Sequence, residues 1–224
     1  EQAMTDARTY AAARRAGQVK TQDLRWEALL PVLDGKTPLF VEADASESIR
    51  EALAFAAREK LRIVLVGGND AWRFAETLKA RDIPVILGGS HNLPARRWEP
   101  YDAVYAAAAK LTQAGVRVVI TNGGGSSERN VPYQAASYAA FGMGEDAALR
   151  AITLTPAEVL GVGDRLGSLD TGKEATLFVA DGDALEDRTV VERAWIQGRE
   201  IDLASKHTRL YEKYQTKYRG EAKK

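Results

Sequence analysis

The sequence contains no cysteine, which excludes a disulfide framework and any thiolate site. Histidine is nearly absent too, with only His91 and His207 in 224 residues. Charge of one sign is missing: 31 Lys plus Arg balance 31 Asp plus Glu, so no broad basic field is implied and nucleic acid is not an expected partner. No apolar run approaches the roughly 18 residues of a membrane span. The first residues, Glu1 to Asp6, lack the basic start and apolar middle of a signal peptide. The chain does not begin with methionine, so a truncated or processed product is expected, with cytoplasmic and periplasmic settings both open.

What is present is a repeated plan of short apolar strand, small or polar exit, then helix. The segments are Leu39–Ala43, Ile63–Gly68, Ile83–Gly89 and Val116–Asn122. Runs rich in Val and Ile without apolar/polar alternation fit strands covered on both faces, as in parallel sheets. In such folds chemistry collects where strands end, which directs attention to Glu42, Gly67, Gly68, His91 and Asn122.

In chain order, residues 1–35 read as two packing helices. Thr5 or Asp6 is a candidate cap for the first, Gly17 its stop, and the second runs from Asp23 to Leu33. Strand 37–43 precedes a helix over 46–60 with Ser46 as its cap. Strand 62–67 precedes a helix over 70–80, and strand 83–88 precedes the loop 90–100 and a helix over 101–114. Strand 116–121 precedes helical segments at about 132–142 and 145–153. Four consecutive βα units imply a parallel sheet with right-handed crossovers. Alone, such a sheet would expose two long apolar edges, whereas four units are half of an eight-stranded (β/α) barrel. Strands 37–43 and 116–121 are therefore expected to pair with strands from another segment or chain. After Pro156 the rhythm changes to turn residues and two strands, 175–180 and 190–196, with a turn at Gln197-Gly198. A charged helix over 205–218 follows, and 220–224 is expected to fray.

The stretch Ala148-Leu149-Arg150-Ala151-Ile152-Thr153-Leu154-Thr155-Pro156-Ala157-Glu158-Val159-Leu160-Gly161 and the stretch from Asp164 to Leu177 resemble the C-terminal signature of the amidohydrolase superfamily, imidazolonepropionase-like members in particular. The resemblance implies an α/β fold: strands five to eight of a (β/α)8 barrel over 1–155, β-sandwich strands over 156–204, and a tail over 205–224. It implies a hydrolase acting on non-peptide C–N bonds of amides through a water activated by a divalent metal, commonly zinc. The missing first half of the barrel is the implied partner, within the same protein or on a second chain, and a homo-oligomer is expected. The superfamily places a His-x-His pair on its first strand, which this chain lacks. At the family's fifth-, sixth- and eighth-strand positions the chain reads Val41-Glu42-Ala43, Val66-Gly67-Gly68-Asn69 and Thr121-Asn122-Gly123 in place of His, His and Asp. Asparagine is neutral and cannot take a proton from a metal-bound water, which implies an atypical or degenerate metal site. The alternative is a catalytically silent relative serving as a binding or assembly module.

Glu42 is expected to be buried at the mouth, as ligand or acid/base, or else as a structural ion-pair partner. Asn122 is a catalytic candidate or a plain turn residue. His91, just past the third of these strands, is a ligand or substrate contact, or an exposed loop residue. Arg96, Arg97 and Tyr101 on the same loop, and Arg129 with Asn130 after the fourth strand, can hold a substrate carboxylate. The solvated loop is the competing reading for each. Gly123 to Ser127 either presents N–H groups to an anion or is a flexible linker.

Overall fold

The computed structural model describes residues 1–123, 125, 127–219. Two helices open the chain, α1 (Gln2–Arg15) and α2 (Leu24–Leu33). The Asp23 side chain accepts from the Arg25 N–H to cap α2, and Tyr10 ties the pair by donating to Glu27 at 2.6 Å. α1 starts at Gln2, ahead of the expected Thr5 or Asp6 cap, because its first turn closes on the Glu1 carbonyl.

Next come β1 (Leu39–Ala43), α3 (Ser46–Glu59), β2 (Ile63–Gly67), a 3-10 turn (Ala71–Phe74), α4 (Ala75–Ala80), β3 (Val85–Leu87), α5 (Ala103–Gln113) and β4 (Val118–Ile120). The strands form one parallel sheet in the order β1-β2-β3-β4, as the βα rhythm requires. β3 and β4 are shorter than expected. The Ile83 N–H still donates to the Leu78 carbonyl and the Val116 N–H to the Leu111 carbonyl, so both residues finish the preceding helix.

Alternation along the strands sorts the two faces. Leu39, Val41, Ala43, Ile63, Leu65, Val85, Leu87, Val118 and Ile120 pack with Ile49 and Leu53 of α3 and Leu111 of α5 in the main core. The opposite face presents Phe40, Glu42, Val64, Val66, Ile86 and Val119. There Val64 and Val119 meet Val159, with Ile86 alongside, while Phe40 is 43% exposed. One register row crosses this face as Glu42, Val66, Ile86 and Val119.

Beyond β4 lie α6 (Val131–Tyr138), a π turn (Ala139–Met143), α7 (Glu145–Ile152) and α8 (Leu154–Val159). The expected single run over 132–142 breaks in the π turn, where Gly142 has φ +102°. A separate antiparallel sheet follows: β5 (Leu177–Ala180), β6 (Val191–Ile196) and β7 (Arg199–Glu200). β6 and β7 are joined at Gln197-Gly198, both at positive φ as a tight hairpin needs. The chain ends in α9 (Lys206–Arg219), with His207 exposed on it; the fraying expected at 220–224 lies outside the described residues. Among the described residues no helix is long and apolar enough to cross a membrane.

Candidate functional site

The C-terminal ends of the strands carry two polar clusters. The first joins the exits of β3 and β4. The chain leaves β3 through Gly88-Gly89 into Ser90, which is fully buried. Facing it from α6 is Gln134, also buried. The Gln134 Oε1 accepts from the Ser90 N–H at 2.5 Å, the Ser90 hydroxyl at 2.8 Å and the His91 N–H at 3.2 Å. Its Nε2 lies 3.1 Å from His91 Nδ1 and donates to Asn122 Oδ1 at 3.3 Å. His91 Nε2 lies 2.8 Å from Ser137 Oγ. The backbone passes close to the amide here: a Cβ at position 89 would sit 3.2 Å from Gln134 Oε1. Beneath this cluster Tyr138 donates to the Gly88 carbonyl at 3.0 Å, and burial pushes its phenol well above the usual range.

The second cluster joins the exits of β1 and β2 to the long loop after β3. Asp70 is buried, and its carboxylate accepts from Arg96 Nη1 at 2.9 Å and Nη2 at 2.6 Å in a bidentate pair. It also accepts from the Ser46 N–H at 2.9 Å and the Ser46 hydroxyl at 2.7 Å. The α3 N-terminus is thus capped by Asp70 from another loop, and Ser46, expected as the cap, is the first helical residue. The Arg96 guanidinium holds the Asp70 carboxyl well below the usual carboxylate range; burial opposes this and the Ser46 hydrogen bonds add to it. Glu99 accepts from Arg96 at 2.6 Å. Together these contacts close the loop over a cavity of about 400 Å³ walled by Trp72, Trp98, Lys110 and Tyr138.

Set against the sequence-based expectations, His91 and Asn122 are brought together, through Gln134. Glu42 is exposed, which corrects the expected burial: β1 is an edge strand, and its inner face has no cover among the described residues. Glu42 also forms no ion pair there. Arg96 is held by ion pairs with Asp70 and Glu99, which the sequence did not indicate. Arg97 and Tyr101 are exposed on that loop, and Arg129 is exposed with Asn130 in the 3-10 turn Glu128–Asn130. Of the glycine loop, Gly124 and Ser126 lie outside the described residues. Gln134 and Asp70 were not singled out from the sequence. The available signal was a lone amide among the alanines of α6, and an aspartate two residues beyond Gly67-Gly68.

Among the described residues no three His, Cys, Asp or Glu side chains converge as a metal site. The donors at the family's metal positions do not fit a zinc pair. Glu42 stands alone, Gly67 and Gly68 have no side chains, and the Asn122 oxygen already accepts from Gln134.

Residues 98–201 match the model of the amidohydrolase family, and the solved amidohydrolase from Thermotoga maritima MSB8 superposes with TM-score 0.80 at 28% identity. The chain is similar to amidohydrolases over this segment. The Thermotoga comparison covers 90% of this chain and 54% of that one. A fungal relative, "Amidohydrolase tasK" of Hapsidospora irregularis, is 36% identical over 70 residues, 31% of this chain and 7% of its own length. An adenosine deaminase from Xanthomonas campestris with bound zinc shares the fold, with TM-score 0.54 and 22% identity over 81% of this chain and 50% of that one. The chain therefore spans about half the length of these solved structures.

Proposed function

We propose that residues 1–224 form the C-terminal half of an amidohydrolase-type enzyme that hydrolyses non-peptide C–N bonds of amides. In this reading β1–β4 are barrel strands five to eight (residues 1–155), β5–β7 belong to a small β-sandwich (156–204), and 205–224 is a tail. The carrying observation is the uncovered inner face and edge at Phe40 and Glu42, in a chain that matches half of a solved amidohydrolase.

The family's zinc chemistry would require ligands from outside this chain, and no step is assigned to Glu42 through a metal. What this chain supplies is one wall of the mouth. His91 and Asn122, held by Gln134, and the exposed Arg97, Tyr101, Arg129 and Asn130 would orient a substrate carrying a carbonyl or carboxylate. Donors fixed in advance at such a mouth stabilise charge that develops on a carbonyl oxygen. The poor fit to zinc favours a second reading, a silent relative that binds amides without cleaving them.

Two measurements on the intact protein test this. The Leu39 N–H donates to the Arg62 carbonyl just ahead of β2, so by strand alternation the Phe40 and Glu42 amides point to the open edge. Slow hydrogen exchange at both is expected if another barrel strand pairs there; fast exchange would remove the half-barrel reading. Amine release from a panel of cyclic amides and N-acyl amino acids, with zinc, manganese or cobalt added, is expected above the uncatalysed rate. Ligand binding with no release under any metal would establish the silent relative.

A further inference from the structure

Gln134 can be oriented from its partners alone. Two of the three groups at its Oε1 are backbone N–H groups, which can only donate, so that atom is the carbonyl oxygen. The other end is therefore the NH2, and it faces the Asn122 oxygen and His91 Nδ1. An N–H pointing at Nδ1 needs a lone pair there, so the neutral ring carries its proton on Nε2. That proton is directed at Ser137 Oγ, 2.8 Å away, and Ser137 passes its own to the Tyr133 carbonyl at 3.0 Å.

We infer that Gln134 is a positioning residue that locks His91 as the Nε2–H tautomer, making His91 a hydrogen-bond donor to a substrate carbonyl or carboxylate oxygen. In this state the exposed ring nitrogen has no free lone pair, so His91 is neither the general base nor a metal ligand. A bound oxygen takes the place of Ser137 Oγ as acceptor and no proton is transferred. This role rests on the amide-binding mouth proposed above, but the tautomer does not.

The test is nitrogen NMR of the intact protein labelled with 15N-histidine, the His91 signals being assigned by their loss in His91→Asn. The expected pattern for the neutral ring is one protonated nitrogen, Nε2. Gln134→Glu replaces the NH2 with an acceptor of the same shape while keeping the oxygen that serves Ser90 and His91, and it should move the proton to Nδ1. A wild-type spectrum showing Nδ1–H or an even mixture overturns the inference, as does a Gln134→Glu spectrum unchanged from wild type. If Gln134→Glu does not fold, the wild-type spectrum alone decides. Addition of a non-hydrolysed amide such as hydantoin should shift the His91 Nε2–H resonance. A correct tautomer with no such shift would refute the donor role and the amide-binding mouth, and leave the tautomer lock standing.

Discussion

Asp70 is the side chain whose removal tests the site architecture most severely. It gathers five hydrogen bonds, two from Arg96, two from Ser46 and a long one of 3.4 Å from Arg73, in a buried position. Asp70→Ala leaves the Ser46 N–H without its cap, worth about 1 kcal/mol, and strips charge-assisted bonds worth about 1.5–3 kcal/mol each in full burial. The Arg96 side chain keeps 31% of its surface in water, so it rehydrates and the low end applies. The expected loss is about 3 kcal/mol for Asp70→Ala and about 2 kcal/mol for Asp70→Asn, which keeps one acceptor. The pH dependence follows with a definite sign. The folded carboxyl sits below its unfolded value of about 3.9, so its stabilisation is complete above pH ~4 and declines as the pH falls toward the folded value. Within that window stability should fall by about 1.4 kcal/mol per pH unit for this one group. Urea midpoints of wild type and Asp70→Asn, at pH 7 and between pH 4 and 3, measure both effects. A difference below about 0.5 kcal/mol at pH 7, or equal acid slopes in the two proteins, would refute the assignment of Asp70 as the hub of this loop.

Three further outcomes are expected. Gly167→Ala should destabilise by about 2–4 kcal/mol in the same melt, since Gly167 has φ +92° and a Cβ would lie 2.8 Å from both Leu154 Cα and the Thr153 carbonyl oxygen, neither of which can move aside. Tyr138→Phe should lose about 1 kcal/mol, and in wild type the Tyr138 phenolate absorbance should stay absent as pH passes the usual tyrosine value of about 10. Glu42→Gln should leave the urea midpoint unchanged because the carboxylate is exposed and unpaired among the described residues. If Glu42 takes part in the reaction, the same substitution abolishes amine release by the intact protein; unchanged turnover would remove it from the site.

The strand runs, their parallel order, the hairpin at Gln197-Gly198 and the amidohydrolase resemblance were all legible in the sequence. Each is written in neighbouring residues: β-branched runs between helical repeats imply parallel crossovers, and turn residues carry their own backbone preference. The signature glycine at 167 has a local motif, though its physical reason, the close approach of Thr153 and Leu154, is a tertiary one. What only the folded chain decided was which polar groups find each other. Arg96 looked like a free anion-binding arginine until Asp70, 26 residues earlier, was found to occupy it. Gln134 looked like one more helical residue until α6 brought it against Ser90, more than forty residues away in sequence, and against Asn122. Buried polar groups must be paired, but the sequence does not number the partners; the packing of loops over strand ends does. Glu42 shows the same limit from the other side, because the expected burial of its carboxylate depends on a neighbouring strand, and the described residues bring none to the edge of β1.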